Sequence, residues 1–367
     1  MLARLTGEQM QTVYVIAEAG VNHNGDLELA RKLIDCAADA GADAVKFQTF
    51  DAKKLATKAA PKANYQQQTT DATESQLDML RKLELPREWH WELRDQARSR
   101  GIEFLSTAFD IDSLKFLEEL DMPFYKVPSG ELTNGPLLWQ FARQRRPLVV
   151  STGMATMSEV EQALAVIAHA LNAEEEPANE SEVWQGWSRP AWRNSLHGRV
   201  TLLHCTSQYP TPVHEVNLKA MDTLAAFGLP VGYSDHTQGI LIPLAAVARG
   251  ATYVEKHFTL DRSMPGPDHT ASLEPDELKQ MVVQIRQLQQ AFGDGVKCPQ
   301  PSEWNTRLAA RQQVVASQNI AAGTVLTRHH LTTARSNGGL PAMALWSLIG
   351  STTVGDIAAG DLMPPKQ

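Results

Sequence analysis

Two histidines end two consecutive apolar runs, where their ring nitrogens could bind a metal ion. His236 ends the run VGYSDH, and His257 ends the run YVEKH. If both runs are β-strands, side chains alternate between two faces, so Ser234 shares a face with His236. In the same way, Glu255 shares a face with His257. A pair of imidazoles that leaves other positions open suits a catalytic divalent ion better than a closed structural site. Taken singly, each histidine could instead serve only as a hydrogen-bonding residue.

Two lysines end other apolar runs, together with several hydroxyl side chains. Lys46 and Lys126 are these lysines, and the hydroxyls are those of Thr107, Ser129, Ser151, Ser207 and Ser234. Lysines and hydroxyls gathered where parallel strands end commonly hold a phosphate through charge-assisted hydrogen bonds. Lys46 could instead be a Schiff-base nucleophile, which requires a lowered pKa. The adjacent Gln48 and the many hydroxyls favour the phosphate interpretation.

Three carboxylates complete the set of candidate catalytic and binding residues. Glu18 and Glu131 also follow strand-like runs, and Asp268 lies in MPGPDHT, a loop stiffened by Pro and Gly after the last run. Such carboxylates could bind sugar hydroxyls or move protons. For each of them the alternative is a helix cap or a surface salt bridge.

The chain contains eight apolar runs, each followed by a helix-like segment, and the residues described above lie in these runs or in the loops that follow them. The runs are Val13–Glu18, Ala44–Gln48, Ile102–Thr107, Phe124–Ser129, Leu148–Thr152, Val200–Ser207, Val231–His236 and Tyr253–His257. The first helix has a capping residue at Asp26 and a stop at Gly41. Eight β-α units predict an α/β protein with a (β/α)8 TIM barrel, whose active site forms where the strands end.

The barrel is predicted to span residues 1–292, with two insertions. Residues 51–75 are polar and rich in Gln and follow the second strand, so they should lie on the catalytic face. Residues 172–194 carry three tryptophans and should form a packed surface loop on the opposite face. Residues 293–311 are predicted to be a linker. Residues 312–367 should form a small β-rich domain, in which NIAAGTVL and DIAAGDLM are near-repeats.

Composition limits the class of protein. Of the 367 residues, 43% are hydrophobic and 21% charged, which is ordinary for a globular protein. The net charge of −8 argues against a nucleic-acid or acidic-membrane surface. Three scattered cysteines do not make a disulfide framework, and no signal peptide or membrane span is apparent. We therefore expect a cytoplasmic protein with neither nucleic-acid nor membrane partners.

Together these motifs resemble the sialic acid (N-acetylneuraminate and related nonulosonic acid) synthase family. The motifs are IAEAGVNHNG, KFQTF, FLSTAFD, YKVPSGE, STGM, LLHCTSQYPTP, GYSDHT and EKHFTLDRSMPGPDHT. The C-terminal segment is similar to the antifreeze-like, SAF-type domain of that family. The match covers nearly the whole chain in the same order, which makes it specific, whereas any single motif would not be.

The resemblance implies condensation of phosphoenolpyruvate with an N-acylated hexose to a nine-carbon 2-keto acid and phosphate. N-acetylmannosamine is the first expectation for the sugar, and 2,4-diacetamido-2,4,6-trideoxymannose, the N,N'-diacetyllegionaminate precursor, is the alternative. His236 and His257 would bind a divalent metal ion, with Mn2+ expected before Mg2+ or Co2+. Phosphoenolpyruvate would be held by Lys46, Thr107, Lys126, Ser129, Ser151, Ser207 and Ser234. The sugar and the reacting end would contact Glu18, Gln48, Glu131, Tyr209 and Asp268.

The resemblance also implies a domain-swapped homodimer. Arg335, in ARSNGG, matches the family arginine that reaches the N-acyl group of the sugar from the partner's small domain. Ser207 departs from the pattern, because some members carry Asn there. Two rival functions stay open: a Lys46 Schiff-base aldolase acting on pyruvate, and a carbohydrate-binding protein without catalysis.

The partner-subunit role of Arg335 makes a first prediction. Arg335→Ala should leave the fold intact but raise the KM for the sugar substantially, because the N-acyl group loses its donor. Steady-state kinetics beside a thermal unfolding curve measures both effects. An unchanged KM would rule out a site completed by the second subunit.

Overall fold

A computed structural model describes residues 12–71 and 73–365 of the chain. The chain divides into two compact units between Phe292 and Gly293. Each unit has a hydrophobic core of its own. Among the described residues, no helix combines the length and the apolar character needed to cross a membrane.

The first unit is a barrel of eight parallel strands. They are β1 Tyr14–Gly20, β2 Ala44–Thr49, β3 Glu103–Ala108, β4 Tyr125–Val127, β5 Leu148–Ser151, β6 Val200–His204, β7 Val231–Asp235 and β8 Tyr253–His257. Hydrogen bonds join them in the order β3-β2-β1-β8-β7-β6-β5-β4, and β3 contacts β4 across the remaining seam. The predicted TIM barrel is confirmed, and each predicted run coincides with a strand to within a few residues.

Helices surround this barrel and explain why its strands are apolar on both faces. They are α1 Leu27–Ala40, α2 Ala52–Leu55, α3 Asn64–Thr69, α4 Gln76–Leu83, α5 Trp89–Ser99, α6 Ile111–Leu117, α7 Gly135–Arg143, α8 Met157–Asn172, α9 Glu180–Trp187, α10 Pro190–Asn194, α11 Ala220–Ala225, α12 Leu241–Ala248 and α13 Pro275–Ala291. The first helix begins as expected, since the Asp26 side chain accepts a hydrogen bond from the Leu29 amide. Gly41 ends it at φ 79°, a left-handed conformation that costs glycine little.

Both insertions are more helical than their composition indicated. Residues 51–75 contain α2 and α3, and residues 172–194 contain α9 and α10 rather than an irregular loop. Trp187 and Trp192 pack against the barrel core. The helical spacing of apolar residues is hard to recognise in these segments, because each short helix has only a few apolar side chains and a wide polar face.

Strand register sets which side chains meet at the C-terminal ends of the barrel strands. Glu18 pairs with Lys46 on one side and with His257 on the other. Ser234 pairs with Glu255 between β7 and β8. Parallel pairing therefore aligns polar residues that lie far apart in sequence at a single level of the barrel.

The second unit is small and rich in short β-pairings. It contains the antiparallel strands β9 Gln312–Ala316 and β10 Leu331–Arg335, with helices α14 Trp304–Ala310 and α15 Leu345–Leu348. The segment proposed as a linker thus includes a helix. The near-repeats pair with each other: Ile320 and Ile357, which hold the same place in each, exchange two backbone hydrogen bonds of 2.8 Å. Leu326 and Met363, also equivalent, are both buried in the core of this unit.

Candidate active site

A cavity of about 450 Å³ opens at the C-terminal ends of the barrel strands. It is lined by all the site residues that the sequence predicts in the first unit, namely Glu18, Lys46, Gln48, Thr107, Lys126, Ser129, Glu131, Ser151, Ser207, Tyr209, Ser234, His236, His257 and Asp268. Arg335 ends β10 in the second unit. Side chains from β1 to β8 and from the loops beyond them therefore converge on one space.

Four buried charged side chains form the floor of the cavity. The Lys46 ammonium lies 2.7 Å from Glu18 and 3.5 Å from Glu255, and Lys126 lies 3.3 Å from Glu255. Thr107 accepts a hydrogen bond of 3.0 Å from Lys46, and Ser234 donates one of 2.8 Å to Glu255. We call Glu18, Lys46, Lys126 and Glu255 the charged floor.

The protonation of the charged floor follows from burial and from these contacts. Burial alone would raise the pKa of Glu255, but Lys126, Lys46 and the Ser234 hydroxyl hold it far below the usual range. Burial raises the pKa of Glu18 to about 7, against the pull of Lys46. Although burial opposes its charge, Lys46 keeps a pKa above the ordinary value because Glu18 and Glu255 stabilise the ammonium. A lysine held charged in this way is a poor Schiff-base nucleophile.

The predicted histidine pair lies beside this floor. The ring centres of His236 and His257 are 5.5 Å apart, and both side chains are buried. Burial lowers the pKa of His236 and lowers that of His257 well below its usual value, so both rings are neutral at pH 7. His236 Nδ1 lies 2.7 Å from the Thr206 carbonyl, and an N–H donated there leaves Nε2 as a free acceptor. Tyr209 packs on His236 with ring centres 4.1 Å apart.

These residues fit a divalent metal ion. His257 Nδ1 is buried without a hydrogen-bond partner among the described residues. An Asp268 oxygen is 3.9 Å from it, and burial raises the pKa of that carboxyl to about 6. In residues 12–71 and 73–365, no group of three or more His, Cys, Asp or Glu side chains is arranged to hold a metal ion alone. The pair could therefore supply two ligands, with the remaining positions left for water or substrate.

A cradle of small polar side chains lies where β4, β5 and β6 end. Gly153 donates its N–H to the Ser129 hydroxyl at 3.0 Å. A Cβ at Gly153 would lie 2.3 Å from Ser207 Oγ and 2.8 Å from both Ser129 Oγ and Cys205 Sγ. The nearby Ser151 hydroxyl is buried with no partner in the described chain. A buried hydroxyl without a partner, in a cavity that Lys46 and Lys126 also line, suits an anionic group such as phosphate.

One side of the cavity is apolar. Its side chains form a hydrophobic cluster separate from the barrel core, and all of them line the cavity: Val21, Phe50, Leu55, Met79, Leu80, Leu83 and Phe109. We call this cluster the apolar wall. Beside it Tyr65, from the first insertion, packs against Tyr209 with ring centres 5.0 Å apart and the rings tilted by 35°. The insertion therefore lies on the catalytic face, as predicted.

Several residues of the site lie outside the set predicted from the sequence. For Glu255 the sequence predicts only a strand face shared with His257, although this alternation also indicates that it points inward. Gly153 and Cys205 carried no signal, because their role depends on three strand ends meeting. Tyr65 lies in the insertion that the sequence places on the catalytic face, but the Gln-rich composition does not indicate which of its side chains enters the cavity.

Comparison with known proteins decides the family. The profile of the NeuB family matches residues 33–297, and that of the SAF domain matches residues 311–367. The chain belongs to the NeuB family. The predicted resemblance to sialic acid synthases with a C-terminal SAF domain is confirmed. The prediction of an enzyme, a transferase that forms a carbon–carbon bond in nonulosonic acid synthesis, is confirmed with it.

Three NeuB-family relatives cover most of the chain. The chain is 48% identical to N,N'-diacetyllegionaminic acid synthase of Campylobacter jejuni over 342 residues, 93% of this chain and 96% of that protein. It is 43% identical to N,N'-diacetyllegionaminic acid synthase of Legionella pneumophila, over 95% of this chain and 92% of that one. The crystal structure of N-acetylneuraminic acid synthetase from Leptospira borgpetersenii, in complex with citrate, has a TM-score of 0.64 and 33% identity, covering 80% and 90% of the chains.

The cradle predicts the effect of a single methyl group. Gly153→Ala should lower kcat/KM for the phosphate-bearing substrate on the order of 100-fold, because the methyl displaces the hydroxyls by about an ångström. Gly135→Ala is the matched control, since nothing lies within 4 Å of a Cβ there. Equal kinetics for the two folded variants would show that the cradle does not hold that substrate.

Proposed function

We propose that this enzyme is an N,N'-diacetyllegionaminate synthase, which condenses phosphoenolpyruvate with 2,4-diacetamido-2,4,6-trideoxymannose. The observation that carries the proposal is the identity of 48% and 43%, along nearly the whole chain, to two synthases of that name. Identity to the N-acetylneuraminic acid synthetase is 33%. Our first expectation, N-acetylmannosamine, is therefore less well supported than the alternative.

The charged floor and the cradle would hold phosphoenolpyruvate. Lys46 and Lys126 offer positive charge at the depth of the cavity, and Ser129, Ser151 and Ser207 offer hydroxyls to the phosphate. Removing one charge-assisted contact of this kind costs on the order of 2–4 kcal/mol in the transition state. Glu255 neutralises part of the charge of the two lysines. This lowers the free-energy cost of burying them before the anionic substrate binds.

The sugar would lie between the histidine pair and the apolar wall. His236 and His257, assisted by Asp268, would hold a divalent ion, with Mn2+ as the first expectation. When bound, that ion supplies Lewis-acid polarisation of the sugar carbonyl. The methylene carbon of phosphoenolpyruvate would bond to the aldehyde carbon, C1 of the open-chain sugar, whose oxygen takes up a proton to become a hydroxyl. Water would add at C2 of the phosphoenolpyruvate, and cleavage of the bond between that C2 and the phosphate oxygen would release phosphate and leave the 2-keto group. Glu131, whose carboxylate accepts a 2.7 Å hydrogen bond from Asn134, would take the proton of that water.

Arg335 belongs to the proposal as a sugar-binding residue of a second subunit. The support for a domain-swapped homodimer is the family resemblance and the ARSNGG motif. In this arrangement the Arg335 guanidinium would donate a hydrogen bond to the N-acyl oxygen of the sugar. Its planar group of N–H donors suits such a carbonyl acceptor.

Two sugars and two three-carbon acids test the function. With phosphoenolpyruvate, kcat/KM for phosphate release should be about 100-fold higher with the 2,4-diacetamido sugar than with N-acetylmannosamine. Mass spectrometry should identify a nine-carbon 2-keto acid. A preference for N-acetylmannosamine would restore the first expectation. Condensation with free pyruvate would indicate the aldolase, and sugar binding without phosphate release would indicate a binding protein.

The metal proposal is tested by binding as well as by activity. His257→Ala should weaken Mn2+ affinity, measured by titration calorimetry, by about 100-fold or more, because one of the two imidazole ligands is lost. Chelation of the wild-type enzyme should abolish turnover, and added Mn2+ should restore it. His214→Ala, at a histidine whose side chain is 83% exposed, is the control and should bind Mn2+ normally. Full turnover after exhaustive chelation would remove the metal from the proposal.

A further inference from the structure

We infer that the apolar wall is a specificity subsite, which selects sugars carrying a methyl group at C6 and an acetamido group at C4 over sugars with hydroxyls there. The inference rests on the proposed function and adds to it the residues that would read the sugar. The apolar wall is a cluster separate from the barrel core, and it faces the same cavity as the four residues of the charged floor.

The wall lies farther out along the barrel axis than the charged floor. Phe50 comes two residues after Gln48, and Phe109 comes two residues after Thr107. Each comes directly after the last residue of its strand, and both side chains line the cavity. The two rings pack edge to face, with centres 6.0 Å apart. Lys46 donates a 3.0 Å hydrogen bond to Thr107, so its ammonium reaches the level at which Gln48 and Thr107 pair. Two further residues of extended chain place Phe50 and Phe109 about 7 Å beyond that level.

That distance is comparable with the length of a six-carbon sugar chain. The reacting C1 must lie near the charged floor and the histidine pair, because the new carbon–carbon bond forms there. C4 to C6 then extend outward and reach the wall.

The chemistry of the two candidate sugars differs at this end. N-acetylmannosamine has hydroxyls at C4 and C6, which would lose their hydrogen bonds to water against aliphatic and aromatic side chains. The 2,4-diacetamido-6-deoxy sugar instead places two methyl groups there, whose transfer from water is favourable. Gln76 lines the cavity beside the wall and offers an amide that can pair with the 4-acetamido group.

The residue best suited to a test is Leu80. It lies on α4, lines the cavity and is only partly buried, so a polar side chain of similar size can be accommodated there. Leu80→Gln removes the apolar contact, and Leu80→Met preserves it at the same position. Leu55→Gln, at another partly buried member of the wall, serves as a second variant if Leu80→Gln does not fold.

The experiment measures kcat/KM of the full chain for three sugars: the 2,4-diacetamido-6-deoxy sugar, N-acetylmannosamine and its 6-deoxy form. Wild type should prefer the first sugar, use the 6-deoxy form second and N-acetylmannosamine least. Leu80→Gln should reduce the preference for the first sugar over N-acetylmannosamine at least 10-fold, with an unchanged KM for phosphoenolpyruvate. Leu80→Met should retain the preference to within about 3-fold.

Each failure has a separate signature. If wild type prefers the diacetamido sugar and the folded Gln variant keeps the full preference, the wall is not the specificity subsite and the proposed function stands. A Gln variant that loses kcat/KM equally for all three sugars also overturns the inference, because general damage does not distinguish them. If wild type itself prefers N-acetylmannosamine, the proposed function fails together with the subsite.

Discussion

Two lysine side chains are buried at the mouth of the barrel, and the free-energy cost of burying them governs the site around them. An isolated ammonium in such a place would cost several kcal/mol. Glu255 offsets part of this cost for both lysines, with 3.3 Å and 3.5 Å contacts, and Glu18 adds a 2.7 Å contact to Lys46. For Lys126 burial outweighs the attraction of Glu255 and lowers the pKa. The result is a rigid, charged surface that needs little reorganisation when an anionic substrate arrives.

Only a closed ring of strands can assemble this charged floor. Lys126 lies on β4 and Glu255 on β8, which are four positions apart along the sheet. Their contact runs across the barrel interior, where alternate strands contribute side chains to a common layer. The cradle at Gly153 has the same origin, because the ends of β4, β5 and β6 must converge before three hydroxyl or thiol groups can surround one backbone position.

The site combines two environments that serve different parts of the proposed substrates. The charged floor, the cradle and the histidine pair lie at the strand ends, where polar side chains gain hydrogen bonds from neighbouring strands. The apolar wall lies one layer outward, on α2, α4 and the residues that follow β1, β2 and β3. A reaction that joins a phosphorylated acid to a sugar needs the first environment, while discrimination between sugars suits the second.

Local patterns in the amino-acid sequence were enough to predict the barrel, its strands and most of the site. Eight apolar runs that each end on a polar residue have few other folds available, and alternation by two then fixes which side chains point inward. Lys46, Lys126, His236 and His257 could be named for this reason. The partnership of Glu255 with both lysines, the crowding at Gly153 and the apolar wall were decided by tertiary structure alone. Each depends on distances between strands or helices far apart in the chain, and local periodicity contains no information about such distances.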